Sequence, residues 1–418
     1  MTETLDLVDV ETFRQRAREW LEANAPKRRS GEIANTQGPS HEMGSPEERD
    51  YVSFARGFQA KLHDAGFAGI TVPREYGGQG LTRAHQVAYT QEAAGYAVPV
   101  VNGLGFGLFI PTLLSHGTEE QKHHWIPKVL RNEQIFCQLF SEPGAGSDLA
   151  GVQSKAEQHD GEWILNGQKV WTSGAQIADI GGGPFRTDPD LPKHQGLSFF
   201  IVDMKQPGVE VRPLRQITGE SHFNEVFFTD ARTPGTNLVG GIGEGWRVSL
   251  TMLMNERLTL GGGGGGPNRR GGGEGAILRL AKQLGSITDP EIRDQVLDLF
   301  IQQRVLALHG QRMAHDTRGK PAGPEFSIMK LMGTRVGSRI TELAVNLIGA
   351  SGAAWPEGAK SDENLGRRWS QQMLASRSGK IAGGTDEILL NIIGERVLGL
   401  PQDPRVDKDV PFREVKQG

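Results

Sequence analysis

The apolar period of this chain changes twice, and that change constrains the fold more than any other feature. Over residues 1–135 the apolar side chains recur at helical spacing. In "SPEERDYVSFARGFQAKLHDAGF", Ser45, Pro46 and Glu48 read as an N-cap, a first-turn proline and a capping-box acid. Val52, Ala55, Phe58 and Leu62 follow on one face. "GTEEQKHHWIPKVL" opens the same way, with Thr118 and Gln121 at capping-box positions, and "GITVPREYGGQG" between them reads as an extended connection. Over 136–240 the period shortens. "EWILNGQKVWTSG" places Asn166-Gly167 between two strand-like runs, which predicts a hairpin. "GLSFFIVDM", "VEVRPLRQ" and "FNEVFFTD" predict further strands, and short strands without intervening helices suggest a small sandwich or barrel. Over 241–418 the period is helical again. Ile292, Val296, Leu299, Leu306 and Met313 mark one face of a helix that starts at Asp289-Pro290. "SIMKLMGTRVGSRITELAVNLIGASG" and "GTDEILLNIIGERVLGL" predict two more helices, and no internal repeat is visible. The expected fold is α+β multidomain: an N-terminal helical domain (1–135), a central β-domain (136–240) and a C-terminal helical bundle (241–418).

Bulk properties exclude several classes. A net charge of −4 and a pI near 6.3 give no basic field for nucleic acid or an anionic membrane. No run reaches the ~20 apolar residues that span a bilayer. The N-terminus is acidic and amphipathic, unlike a signal peptide. The single cysteine, Cys137, leaves no intrachain disulfide or multi-cysteine metal site, which fits a reducing, cytoplasmic setting. His123-His124 lacks companion ligands and reads as a solvated helix face.

Two short runs carry candidate chemistry. In "SEPGAGSDLAG", Gly144, Gly146 and Ser147 make a tight loop with exposed N–H groups, suited to a phosphate or to the carbonyl edge of a heterocycle. An ordinary turn has the same composition. In "KVWTSGA", Trp171 offers a planar face beside the Thr172 and Ser173 hydroxyls; a core Trp with surface hydroxyls is the alternative.

The ordered set "FCQLFSEPGAGSDLAG", "LNGQKVWTSGA", "FNEVFFTDARTP", "NLVGGIGEGW" and "IAGGTDEILLNIIGERVLGLP" resembles the acyl-CoA dehydrogenase family over nearly the whole chain. The match is tightest in the middle block and loose before residue 70 and between 261 and 330. The resemblance implies a helical domain, a β-domain and a four-helix bundle. It also implies bound FAD, lined by Gln138, Phe140, Ser141, Trp171 and Ser173. Ser147 would face the thioester or pantetheine arm of an acyl-CoA. Gly384, Thr385 and Glu387 would touch the AMP part of a flavin, usually a neighbouring subunit's, so oligomerisation into a dimer or tetramer enters the cofactor site. An electron-transfer flavoprotein is the implied acceptor. The implied reaction removes an α-proton to a carboxylate and a β-hydride to flavin N5.

Three departures qualify the resemblance. In much of the family the base is a Glu directly before the Gly-Thr of the C-terminal motif; here Gly383 holds that substrate-facing position. A minority branch carries the base in a Glu-Arg pair on the helix after the β-domain, which points to Glu256 as base and Arg257 as a contact for the CoA end or the local backbone. A surface Glu pairing along the helix is the plain alternative. Second, Leu284-Gly285 stands where a Phe-Gly is usual, and Ala281 where an Arg meets the neighbouring pyrophosphate. Arg279, Lys282, Arg293 or a different partner chain would have to compensate. Third, Gly261 to Gly266 with Pro267 sacrifice about 8 kcal/mol of helix propensity, so the helix should end near Leu260 and a glycine loop follow. The glycines of "ADIGGGPFRTD" interrupt an expected apolar strand in the same way. Gly103, Gly105 and Gly107 suggest a widened pocket for a bulky, branched or steroid-type acyl group. The competing expectations are a non-catalytic partner subunit of a heteromeric dehydrogenase, and an acyl-CoA oxidase or nitroalkane-oxidase-like relative.

Overall fold

The computed structural model describes residues 8–28, 44–261, 275–316, 323–356, 364–404 and 407–415. Their contacts form two units, one of Met1–Gln216, Glu220–Met252 and Val406–Gly418, the other of Ile217–Gly219 and Leu253–Arg405.

The first unit opens with α1 (Val10–Asn24), whose N-cap Asp9 accepts the Glu11 and Thr12 N–H groups at 3.0 Å each. At α2 (Pro46–Asp64) the Ser45 hydroxyl accepts the Glu48 N–H at 3.1 Å. Glu48 itself turns back to the Gly44 N–H at 2.7 Å, so the expected box closes one residue early. α3 (Arg83–Ala93), α4 (Ile110–His116) and α5 (Glu119–Leu130) follow. The capping box of α5 is reciprocal: Gln121 N–H to Thr118 Oγ at 3.2 Å, Thr118 N–H to Gln121 Oε1 at 3.1 Å. Phe13, Ala17 and Leu21 of α1, Phe58 and Leu62 of α2, Tyr89 of α3 and Phe67 form one core. Gly105 is packed rather than pocket-forming. A Cβ there would lie 2.3 Å from Asn102 Oδ1, so this glycine opens no acyl site.

The strands are β1 (Phe136–Gln138), β2 (Lys155–His159), β3 (Glu162–Ser173), β4 (Ile180–Arg186), β5 (Leu197–Asp203), β6 (Val209–Leu214), β7 (Phe223–Pro234) and β8 (Leu238–Val239). They pair in the order β6-β7-β3-β2-β4-β5-β8, with β1 alongside β4. Phe185 of β4 meets Phe228 of β7 at 5.4 Å and Phe200 of β5 at 6.2 Å. β4 and β7 are not ladder neighbours, so the sheet folds over one apolar core as a sandwich does.

Asn166-Gly167 is not a turn. β3 runs through it, and the β2–β3 reversal falls at Asp160-Gly161, both left-handed with φ 51° and 84°. Gly167, at φ 145°, sits in a bulge where the pairing with β7 shifts register. The Asn166 side chain fastens that bulge through Asp230, at 2.9 Å to its N–H and 3.0 Å to its carboxylate. The pair that suits a tight turn also suits a bulge, because both need a small residue in an unusual backbone conformation.

The glycines of β4 have a packing cause. The chain leaving β1 crosses directly above them. A Cβ on Gly181 would lie 2.5 Å from Leu139 Cδ1, and one on Gly183 would lie 1.9 Å from the Leu139 carbonyl oxygen. Backbone cannot yield as a side-chain tip does. Gly183→Ala should therefore destabilise the protein by about 1–3 kcal/mol through overpacking, measured by thermal or urea unfolding.

α6 (Gly245–Gly261) runs to the last described residue of this segment, and the expected helix end with the remainder of the glycine tract lies outside the described residues. The second unit contains α7 (Ala276–Gln283), α8 (Pro290–Asp316), α9 (Phe326–Ile348), α10 (Ala350–Ala353), α11 (Leu365–Gly379) and α12 (Asp386–Ile392). Val296, Leu299, Leu306 and Met313 of α8 are buried as expected. α9 stops at Gly349, φ 66°, before the predicted end. α11 was not legible from its apolar pattern; it buries Trp369 and is capped by Asn364, whose Oδ1 accepts the Arg367 N–H at 2.8 Å. Phe412 belongs to the first unit, where its N–H donates to the Leu191 carbonyl at 3.0 Å.

Candidate active site

The loop after β1 folds back beside the end of β3. The Val170 N–H donates to the Ser141 carbonyl at 2.8 Å, so Ser141 and the Trp171–Ser173 segment lie side by side. Gln138 and Ser141 are half-buried, and Phe140 is buried against Phe199 at 6.3 Å.

A buried clamp fixes the loop from beneath. Lys169 is fully buried and donates to Glu142 Oε1 at 2.8 Å, the Pro184 carbonyl at 2.8 Å and the Phe140 carbonyl at 3.3 Å. Three acceptors match the three N–H groups of an ammonium. Glu142 also accepts the Gln153 N–H at 2.6 Å and the Ser154 N–H at 3.0 Å. Burial pushes the Glu142 carboxyl up, but Lys169 and these N–H donors outweigh it and hold the group below the usual carboxylate range.

A second buried cation, Arg186, reaches the far end of the loop. It donates to the carbonyls of Ala150 at 2.6 Å, Lys193 at 2.7 Å and Val152 at 3.1 Å, and its guanidinium lies 3.7 Å from the centre of the Phe412 ring. Burial pulls Arg186 down to about 10. Lys193 pairs with Asp148 at 2.8 Å and with Asp407 at 2.5 Å. The clamp residues Lys169, Glu142 and Arg186 were not singled out from the sequence. The available signal was a Glu and a Lys in the two motif runs that also carry the candidate chemistry.

The outer side of this loop is open. A Cβ on Gly144 or Gly146 would meet nothing within 4 Å, and Ser147 is exposed. Trp171 is 59% exposed with φ 59°, edge-on to Phe223 at 6.1 Å. A left-handed aromatic residue stores roughly 1–3 kcal/mol of backbone strain. It presents its ring outward and is not a core Trp. Asn224 anchors the strand behind it, donating to the Thr172 carbonyl at 3.1 Å and to Gln176 Oε1 at 2.7 Å. Ser173 closes β3, half-buried.

The other predicted residues lie in the second unit. Glu256 is half-buried on α6, with Arg257 next to it in the helix. Gly383 and Gly384 are left-handed, φ 68° and 96°, and make the turn into α12. Thr385 caps that helix, accepting the Ile388 N–H at 3.3 Å. The buried Lys330 donates to the Gly384 carbonyl at 2.6 Å, and Arg335 pairs with Asp386 at 3.0 Å. Glu387 is exposed; its own backbone N–H and the Thr385 side chain hold its carboxyl below the ordinary value. Ala281 is fully buried on the inner face of α7, where a guanidinium would have no room, while Arg279, Lys282 and Arg293 are exposed. Among the described residues no group of His, Cys, Asp and Glu could hold a metal ion, and no helix is long and apolar enough to cross a membrane.

Three family models match in sequence: acyl-CoA dehydrogenase N-terminal domain over residues 9–133, middle domain over 137–231 and C-terminal domain over 243–398. The chain belongs to the acyl-CoA dehydrogenase family. It is similar to the acyl-CoA dehydrogenase IpdE1 of Mycobacterium tuberculosis, 37% identical over 95% of this chain and 99% of that one. Among solved structures it resembles the Tcur3481-Tcur3483 steroid ACAD, with TM-score 0.74, 25% identity and coverage of 96% and 100%. It also resembles the ChsE4-ChsE5 complex from Mycobacterium tuberculosis, with TM-score 0.72, 26% identity and coverage of 96% and 100%. Acyl-CoA dehydrogenases are flavoprotein oxidoreductases, and the first unit fits a flat heterocycle. Glycines with open space above them, an outward indole, the exposed Ser147 and the half-buried Ser173 lie on one clamped loop and strand end.

Proposed function

We propose that this chain is an FAD-dependent acyl-CoA dehydrogenase that desaturates a bulky, steroid-type acyl-CoA between Cα and Cβ, with Glu256 as the base. The observation that carries the reading is Gly383. The position that usually supplies the base holds a left-handed glycine, and the Glu256-Arg257 pair stands at the alternative one. Leu253, one turn before it on α6, is half-buried and would help keep the carboxylate poorly hydrated, which favours proton abstraction. Gln138, Phe140, Ser141, Trp171 and Ser173 would hold the isoalloxazine ring. Gly384, Thr385 and Glu387 would meet the AMP part of a flavin. Ser147 and Arg257 would contact the acyl-CoA, and Gly383 would be a substrate-facing position. Bound FAD would supply the acceptor for the β-hydride, and an electron-transfer flavoprotein would then take the electrons. The bulky substrate class rests on the similarity to a steroid ACAD. A cytoplasmic location fits a soluble CoA substrate.

The test is anaerobic titration of the purified flavoprotein with acyl-CoAs from short-chain to steroid-type. Bleaching of the flavin by the bulky members supports the reading. Bleaching by none of them, with FAD bound, overturns it. Turnover with oxygen alone identifies the oxidase alternative instead.

A partner-subunit arrangement has its own support in the buried Ala281, which cannot supply the pyrophosphate-binding arginine. Two similar structures pair two named chains, and a heteromer of this kind would complete the site in trans. Expression of this chain alone giving a stable, fully flavinated homo-oligomer would exclude it.

The open glycines give a separable prediction. Gly146→Ala should change stability by no more than about 0.5 kcal/mol, because the new methyl meets no protein atom. It should lower the fraction of flavin retained after gel filtration, read from absorbance in the visible band.

A further inference from the structure

The segment 407–415 belongs to the first unit and lies against the loop between β4 and β5. Pro411 bridges Pro192 antiparallel, and the Phe412 and Arg413 N–H groups donate to the carbonyls of Leu191 at 3.0 Å and Pro189 at 3.1 Å. Two side chains of the segment reach further in. The buried Phe412 covers the Arg186 guanidinium at 3.7 Å, and Asp407 pairs with Lys193 at 2.5 Å.

Both cations have a second task. Arg186 donates to the carbonyls of Ala150 and Val152, and Lys193 pairs with Asp148, the residue after Ser147. Arg186 also donates to the Lys193 carbonyl at 2.7 Å, so the two are joined. Arg186 is buried and its Nε has no partner among the described residues, so three carbonyls and the Phe412 ring offset its desolvation. Without the ring, water reaches the guanidinium and competes for it, and the grip on Ala150 and Val152 weakens. Asp148 is largely exposed, so its pair with Lys193 would be weak alone; Asp407 on the other side fixes the ammonium in place. Burial pulls the Lys193 ammonium down, but Asp148 and Asp407 outweigh it and hold the group above its ordinary value. We propose that the segment 407–415 is a strap for the acyl-CoA site, in which Asp407 and Phe412 are positioning residues that act through Lys193 and Arg186 to hold the Ser147 loop against the substrate. The inference rests on the proposed reading of Ser147 as an acyl-CoA contact.

Two measurements on the purified full-length flavoprotein test it. The first is amide hydrogen exchange at Gly151 and Val152, whose N–H groups bond to the Asp148 and Leu149 carbonyls within the loop. Phe412→Ala should speed exchange there about tenfold and leave the β3–β7 ladder unchanged. Phe412→Tyr keeps a ring over the guanidinium and should return exchange to within about threefold of wild type. The second is steady-state turnover with the acyl-CoA that bleaches the flavin best. Phe412→Ala should raise KM about tenfold while kcat changes less than about threefold, because a positioning loss at the substrate contact weakens binding rather than the chemical step. Unchanged exchange, faster exchange with an unchanged KM, or no rescue by Phe412→Tyr overturns the proposal. If Phe412→Ala does not fold, Asp407→Asn decides, with the same two shifts expected at about threefold and no shift in either overturning it. If no acyl-CoA bleaches the flavin, the proposed reaction fails by that result alone, and the exchange at Gly151 and Val152 still decides whether the segment holds the loop.

Discussion

Glu256→Gln should keep the flavin and lose the reaction. The amide has the shape of the carboxylate but does not accept a proton from carbon, so kcat should fall by about 10²–10⁴-fold while the substrate concentration for half-saturation changes little. The direct reading is the rate of anaerobic flavin bleaching after mixing with the best acyl-CoA. A Glu256→Gln variant that bleaches at the wild-type rate removes Glu256 as the base. A second variant places the assignment further. Gly383→Glu, added to Glu256→Gln, returns a carboxylate at the position used by much of the family. Some activity should return, but not all of it. A non-glycine residue at φ 68° is strained by roughly 1–2 kcal/mol, and the turn into α12 must absorb that strain. Full stability with no recovered bleaching would mean that the two positions do not address the same carbon.

Lys169→Met should be the most damaging single change in the first unit. It strands the Glu142 carboxylate in the interior beside two carbonyls that have lost their donor. Removing one partner of a buried pair typically destabilises by about 3–5 kcal/mol. The pH dependence should reverse as well. In the wild type the Glu142 pKa is depressed, so its stabilising contribution is present above the ordinary value of 4.5 and is lost as pH falls through the lower folded value. In the Lys169→Met variant the desolvated carboxyl has no cation and its folded pKa is raised, so stability is lost as pH rises. The gap between the two proteins in thermal unfolding should widen from pH 4 to pH 7 (about 4 and 7 being the carboxylate and neutral ranges). Adding Glu142→Gln to Lys169→Met should recover part of the loss. A gap that stays constant with pH would show that the pair is not ionised.

The helical parts of the fold were legible where local signals agree. Ser45-Pro46 and Thr118–Gln121 announce helix starts, and Val296, Leu299, Leu306 and Met313 announce a buried face. Asn166-Gly167 misled because a local pair cannot distinguish a turn from a bulge; the partner strand β7 decides that. Gly181 and Gly183 were opaque for a similar reason, since their cause is the chain leaving β1, far away in sequence. In the candidate site, the exposed Trp171 and the open Gly144 and Gly146 correspond to motifs visible in the sequence. Lys169 and Arg186 did not stand out, because a charge in a strand reads as a surface residue until three carbonyl or carboxylate acceptors are found around it.

The contact between Phe412 and Arg186 has a consequence for the order of synthesis. The ring that covers this guanidinium belongs to a segment made after α12. On the ribosome, the sandwich therefore emerges with one buried-cation site lacking its cover. The sandwich begins folding before the second unit is made but is completed only by a segment that follows that unit in the chain.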